Sequence, residues 1–192
     1  RTMALSVYGD LDVSFIKGMP PGRHPVKTYA VGSYMLQRIF RFMKKEMESG
    51  HQAYVVCPLV EQSEKQDLAA AVSVYENLRD HVFPQFGVGL VHGRMKNAEK
   101  EQVMEDFRKG KFKLLVATSV IEVGVNVPDA TVMFVYGADR FGLSQLHQLR
   151  GRVGRGKEQA YCVLYTDNQN ETTQLRMKLM CEIRDGALLA EK

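Results

Sequence analysis

The residues best suited to chemistry lie between positions 148 and 155, where the chain reads Gln148-Leu149-Arg150-Gly151-Arg152-Val153-Gly154-Arg155. Two arginines three apart on a short helix project to nearly one side. A guanidinium is a planar fork of donors that matches phosphate oxygens. The intervening glycines let the backbone approach a neighbour closely. Such a pair suits the charge that develops on a transferring phosphoryl group. A second run, Ala117-Thr118-Ser119-Val120-Ile121-Glu122-Val123-Gly124-Val125-Asn126-Val127-Pro128, opens a buried strand into hydroxyls and then a glycine turn. Small hydroxyls and backbone N–H groups in that setting bind phosphates. A third, His92-Gly93-Arg94, sets a small residue beside a cation just after a strand, as a nucleic-acid backbone contact requires. His92 reads equally well as a loop histidine satisfied by its neighbours.

Two kinds of chemistry are not expected. The histidines (24, 51, 81, 92 and 147) and the cysteines (57, 162 and 181) show no metal-ligand spacing, so this chain should hold no metal of its own. There is no GxxxxGK[ST] loop and no acidic box after a strand. Nothing here would grip a β-phosphate or Mg²⁺, and the chain alone should not hydrolyse ATP.

These residues need a scaffold, and the apolar pattern supplies one. Short strands are expected at 27–31, 53–57, 88–91, 114–117, 131–136 and 160–165. Between them fall helical patterns. Ser33 should cap a helix with Leu36, Ile39, Phe40, Met43 and Met47 inward, ended by Gly50. The stretch 66–82 reads as one helix, with Leu68, Ala71, Val72, Tyr75, Leu78 and Val82 on one face. Asn97 to Lys109 has its acids early and its bases late, which suits the helix dipole. Ser144 to Arg150 is a short helix. A last one, 171–184, puts Leu175, Leu179 and Ile183 in phase. Strands joined by helices imply parallel crossovers and a mainly parallel sheet covered on both faces, an α/β fold. Ligands then belong at the carboxyl ends of the strands, in the loops after Cys57, Val91, Ala117 and Tyr136.

Composition bounds the rest. With 45% hydrophobic and 25% charged residues, the 192-residue chain can bury one full core rather than two. Its apolar runs are far shorter than the roughly 20 residues that span a bilayer. Arg1-Thr2-Met3 leads into a mixed segment rather than an apolar leader, and a piece of a longer cytoplasmic protein with reduced thiols is expected. From Asp139 to Lys157 five cations (Arg140, Arg150, Arg152, Arg155 and Lys157) face one acid, Asp139, so the segment either meets phosphate or forms a solvated face.

The arginine and Thr118 segments resemble motifs VI and V of the second RecA-like domain of superfamily 2 helicases. Three blocks, LSVYGDLDVS (5–14), YVVCPLVEQSEK (54–65) and FGLSQLHQLRGRVGRG (141–156), are similar to the bacterial RecG family of branched-DNA helicases. The last block is also close to that of transcription-repair coupling translocases, while the first two favour RecG. The resemblance implies a connector over 1–25, a second motor domain over 26–166 and the start of a helical hairpin over 167–192. It implies ATP-driven translocation on branched DNA, such as forks and Holliday junctions, in recombination and repair. ATP and Mg²⁺ would be held mainly by a preceding P-loop motor domain, and a wedge domain of the same protein would grip the junction. A nucleoid-associated place in the cytoplasm follows. By position, Arg152 and Arg155 would be an arginine-finger pair, with Gln148 positioning them or the nucleotide. Gly124 and Asn126 would lie near the ribose, with Asn126 standing where many relatives carry Asp. Gly93, Arg94, Thr118 and Ser119 would touch the DNA backbone. The reading from a different class is a non-motor nucleotide-binding module. Against it, no GxGxxG follows the first strand.

Overall fold

The computed structural model describes residues 24–59, 63–118 and 126–183. Nearly all of the expected connector, together with Ser119 and Gly124, lies outside these residues. Six strands form one sheet, every pair of them parallel, in the order β1-β6-β5-β2-β4-β3. They are β1 (Lys27–Val31), β2 (Gln52–Cys57), β3 (Val88–Val91), β4 (Leu114–Thr118), β5 (Ala130–Tyr136) and β6 (Tyr161–Tyr165). The helices are α1 (Leu36–Glu48), α2 (Glu64–Asn77), α3 (Asn97–Arg108), α4 (Leu143–Arg150) and α5 (Glu171–Glu182).

Alternation along the strands builds two cores. Ala53, Val55 and Cys57 of β2 face one side of the sheet with Leu114 and Val116 of β4, under α1 and α2. Tyr54 and Val56 face the other with Leu115 and Ala117, under α3, α4 and α5. Helices therefore cover both faces, as the near-continuous apolar strands require. Ile39, Phe40, Met43 and Met47 are the buried positions of α1, in the expected phase. The thiols of Cys57 and Cys162 are free and buried, and burial pushes both up to about 12.

Four expectations need correction. Ser33 does not cap α1 with its side chain; it begins a 3₁₀ turn, and its N–H donates to Asp167 Oδ1 beyond β6 (2.8 Å). The 66–82 helix is α-helical only to Asn77 and then widens into a π turn, where the Phe83 N–H reaches the Leu78 carbonyl (2.7 Å). On α5 the deeply buried residues are Thr173, Met177 and Met180, while Leu175 is 57% exposed. That helix has two apolar phases in its sequence. Its rotation is held by Arg150, which donates to the carbonyls of Met180 (2.7 Å) and Ile183 (3.0 Å). Arg152 and Arg155 lie beyond the end of α4 rather than on it.

Gly89 of β3 has no room for a side chain, because a β-carbon there would stand 2.4 Å from the ring of Phe112. That ring is itself stacked on Phe107 at 5.6 Å between centroids. Gly89→Ala should destabilise the fold by about 1–3 kcal/mol. The melting temperature then drops by roughly 2–4 °C per kcal/mol for a domain of this size. An unchanged thermal midpoint would mean that Phe112 is not held there.

Candidate functional site

A parallel strand enters at one edge of the sheet and leaves at the other, and the candidate residues divide between those edges. At the carboxyl edge, β3 and β4 run side by side with Val91 paired to Ala117, so His92 and Thr118 follow on adjacent strands. Thr118 is 1% exposed. Its Oγ1 and the Nδ1 of His92 are buried and have no hydrogen-bond partner among the described residues. Leaving such a group unmade costs about 1–3 kcal/mol, so the pair is poised for a polar ligand. Desolvation first, then Lys100 and Arg94, hold the His92 imidazole below its ordinary range, which keeps the ring neutral. Gly93 beside it is open: a β-carbon there would meet nothing within 4 Å. Arg94 donates to Glu64 Oε1 at the start of α2 (2.9 Å).

The same edge carries a second charged arrangement, between β2 and β5. The connections after these two adjacent strands depart in opposite directions, which is where open α/β sheets form a ligand crevice. Here it is filled. Arg140 grips Asp67 with both fork nitrogens, each at 2.9 Å. The Ser63 hydroxyl donates to Asp67 Oδ2 (2.8 Å), and a β-carbon on Gly137 would come within 3.2 Å of Pro58. Arg140 is therefore a clamp on a buried carboxylate.

At the amino edge lie Asn126, Arg152 and Arg155. Asn126 is exposed, just ahead of the buried Val127 and the turn into β5. Gly151 ends α4, and Gly154 adopts φ +77°, which only glycine takes without strain. Gly156 then lies against the Pro128 carbonyl, so closely that a β-carbon would sit 2.6 Å from the oxygen. This contact brings the arginine loop beside Asn126. Both guanidinium groups also act on the Tyr54 hydroxyl, but burial outweighs them and its pKa rises to about 12. Gln148 is exposed on the last turn of α4, and its side chain makes no hydrogen bond to either arginine among the described residues.

Gly93, Arg94 and Thr118 therefore lie at the carboxyl ends of the strands, where the ligand loops were expected. The arginines do not, because α4 carries the chain back across the sheet before they appear. The five-cation patch also shrinks. Arg140 is engaged by Asp67, and Arg150 is 6% exposed with its guanidinium on Met180, Ile183 and His147 Nδ1 (3.0 Å). The role of Arg150 was readable in principle: it follows Leu146 at helical spacing, on the buried face of α4. The Asp67 partnership had no local signal, since 73 residues separate the pair.

Comparison with known proteins follows this geometry. Residues 34–157 match the family model described as the helicase conserved C-terminal domain. The chain is 52% identical over its full length to the ATP-dependent DNA helicase RecG of Bacillus subtilis (strain 168), covering 28% of that protein. It is 47% identical to that of Thermotoga maritima, covering 24%. The chain thus spans about a quarter of the length of these relatives. A solved structure of RecG bound to a three-way DNA junction superposes with a TM-score of 0.82 at 44% identity, over 99% of this chain and 25% of that one. The yeast DEAD-box splicing factor Prp28 shares the fold alone, at TM-score 0.64 and 15% identity, over 85% of this chain and 34% of that one.

The Pro128 contact separates two glycines of the arginine loop. Gly156→Ala must displace backbone and should shift the amide resonances of Asp129, Ala130 and Arg155 while lowering stability by about 1–3 kcal/mol. Gly151→Ala meets nothing nearer than the Gln148 carbonyl at 3.4 Å and should leave those resonances in place. Equal effects from the two changes would remove the contact from the account.

Proposed function

Because the chain belongs to the helicase conserved C-terminal domain family, we propose that it is the second motor domain of an ATP-dependent DNA helicase of the RecG type, acting on branched DNA in recombination and repair. The observation that carries this reading is the division of polar groups between two edges of one sheet. An arginine pair and an exposed Asn126 gather at the amino edge, and Thr118 and His92, whose buried Oγ1 and Nδ1 have no partner among the described residues, gather with Gly93 and Arg94 at the carboxyl edge. A motor needs two separate surfaces, one for the nucleotide and one for the track. The chain's likeness to RecG over its full length, including the RecG solved on a three-way junction, supports DNA as the track.

In this reading Arg152 and Arg155 reach toward the γ-phosphate of an ATP held with Mg²⁺ by a preceding P-loop domain, and stabilise charge as it develops. Asn126 lies beside the ribose. Gly93 lets a phosphate approach the backbone, and Thr118 donates its unpartnered hydroxyl to a phosphate oxygen. Ser119 and Gly124 take the roles their motif implies. Residues 1–25 connect the two motor domains, and α5 begins a helical hairpin. A wedge domain of the same protein grips the junction, and the whole works in the cytoplasm beside the nucleoid. The filled crevice between β2 and β5 weighs against a stand-alone nucleotide-binding module.

The finger and DNA-contact roles give different outcomes in the full-length protein. Arg155→Ala should lower DNA-stimulated ATP turnover by about 10³ to 10⁵, or about 4–7 kcal/mol, with junction affinity and its salt dependence nearly unchanged. Arg152→Ala should behave alike. A loss of affinity with turnover intact at saturating DNA would make Arg155 a track contact instead. The 192-residue chain alone should turn over no ATP in a phosphate-release assay, and activity there that Arg155→Ala abolishes would sink the reading.

A further inference from the structure

We propose that the outer stripe of α1, formed by Arg38, Arg41 and Lys45 and headed by Tyr34 of the preceding 3₁₀ turn, is a second binding surface for the phosphate backbone of a duplex DNA arm, a role that rests on the DNA-motor reading above. The four residues recur at helical spacing, and all are exposed. They stand opposite the buried face of Ile39, Phe40, Met43 and Met47, so the stripe points away from the sheet. From Tyr34 to Lys45 it extends about 16 Å, a length that reaches several phosphates of one duplex.

Three observations make this more than a solvated helix face. First, the acids of α1 are already engaged. Glu46 turns aside to accept from the Thr131 hydroxyl (2.8 Å) and to meet His51 Nδ1 (3.0 Å), and Glu48 faces Lys44 (3.9 Å). Among the described residues no carboxylate pairs with Arg38, Arg41 or Lys45. Many other surface cations are matched locally, as in Arg79 with Asp80, Arg108 with Glu105 and Lys111 with Asp106.

Second, Arg38 sits where the helix itself disfavours a cation. The first turn of α1 holds no acid and contains Arg38, although the amino end of a helix carries a partial positive charge. At this end the helix and Arg38 therefore add to one positive field, while Lys45 lies in the last turn, where the helix favours a cation. The carboxylate of Asp167 at this end is occupied with the Ser33 N–H (2.8 Å).

Third, the stripe begins with an aromatic ring. Tyr34 is 84% exposed, yet its ring lies over Gly32, where a β-carbon would come within 3.1 Å of it. An ordered, exposed ring at the head of a basic stripe is a platform for a sugar or an unpaired base. Tyr34 stands at the carboxyl edge, the edge of Thr118, Gly93 and Arg94. DNA leaving that edge would meet Tyr34 first and then the three cations in order along α1.

The test uses the full-length protein and a forked DNA with a long duplex arm, titrated from about 50 to 200 mM salt. Each phosphate contact contributes about 0.9 to the slope of log affinity against log salt. The triple variant Arg38→Ala/Arg41→Ala/Lys45→Ala should make that slope shallower by about two to three units. ATP turnover at saturating DNA should be unchanged, while the DNA concentration for half-maximal stimulation rises. Tyr34→Ala should weaken binding without changing the slope. Alanine favours helix at these exposed positions, so the fold is retained, and circular dichroism checks it. Charge reversal by Arg38→Glu/Arg41→Glu should exaggerate the effect. An unchanged slope and affinity in both multiple variants overturns the proposal. So does loss of binding to poly-glutamate with DNA affinity intact, which would make the stripe a docking face for an acidic protein. If the unmodified protein shows no DNA-stimulated turnover, the motor reading beneath it fails instead.

Discussion

Parallel pairing of all six strands is the constraint on which the rest of this structure depends. Two parallel neighbours cannot be joined by a tight turn, so the chain must recross the sheet after every strand. Among the described residues α1, α2, α3 and α4 make four of these crossings, and with α5 they cover both faces. The central strands are buried on both sides as a result, and all residues of β2 and β4 are buried. The constraint also sorts function. Every segment after a strand begins at one edge, and every segment leading into a strand ends at the other. His92, Gly93, Arg94 and Thr118 belong to the first kind, and Arg152, Arg155 and Asn126 to the second. Five residues of strand separate the two groups by about 16 Å. One rigid sheet thus holds two polar surfaces at a fixed distance, as a device that couples two ligands requires.

The same constraint leaves a weak point, and charge closes it. Where β2 and β5 send their connections in opposite directions, a crevice opens at the carboxyl edge. Asp67, with its side chain 8% exposed, and Arg140, at 38%, stopper it. A carboxylate so far from water needs its partner, because removing one half leaves an uncompensated charge. The bidentate geometry adds direction to the attraction. Two further bonds tie the neighbouring turn to the last strand: Thr166 donates its hydroxyl to Asp139 (2.7 Å), and Arg176 reaches the Asp139 carbonyl (3.1 Å). Side-chain bonds thereby link α2, β6 and α5 to the turn after β5 at the carboxyl edge.

How much of this was legible in the sequence depended on whether the signal was local. Each strand lies within a residue or so of its expected place, because a short apolar run between breakers leaves little choice. α3 follows from acids early and bases late along the helix, and α1 from periodicity with one apolar phase. α5 misled because it has two: Leu175, Leu179 and Ile183 compete with Met177 and Met180, and the contact that decides is Arg150 on a backbone carbonyl, which side-chain patterns do not encode. The π turn at Leu78–Val82 was hidden for a similar reason, since its residues keep a helical spacing. Within the candidate site, type and spacing singled out the arginine pair and Thr118 but not the edges of the sheet on which they lie. Counting from Tyr136 through α4 locates Arg152 at the amino edge only if the helix is known to run the full depth of the sheet. Arg140 looked like an ordinary surface cation because Asp67, its partner, lies on a different element.

The arginine loop shows why glycines alternate with arginines in this segment. A long guanidinium side chain is flexible, and its value at a distant phosphate depends on how little its base can move. α4 stops at Gly151, so the helix does not carry the arginines. Their backbone is held by packing instead. At Gly154 a β-carbon would come within 2.9 Å of Val26 Cγ2, just ahead of β1, and at Gly156 within 2.6 Å of the Pro128 carbonyl, just ahead of β5. Val153 between them is 3% exposed and belongs to the core beneath α4. Arg155 is thus bracketed by two close backbone contacts to different strands, and Arg152 by the helix end and a buried valine. A side chain at either glycine would push the loop off the sheet and move both arginines together. The glycines therefore supply rigidity here through close approach, and the positive φ at Gly154 is the turn that makes the second contact reachable.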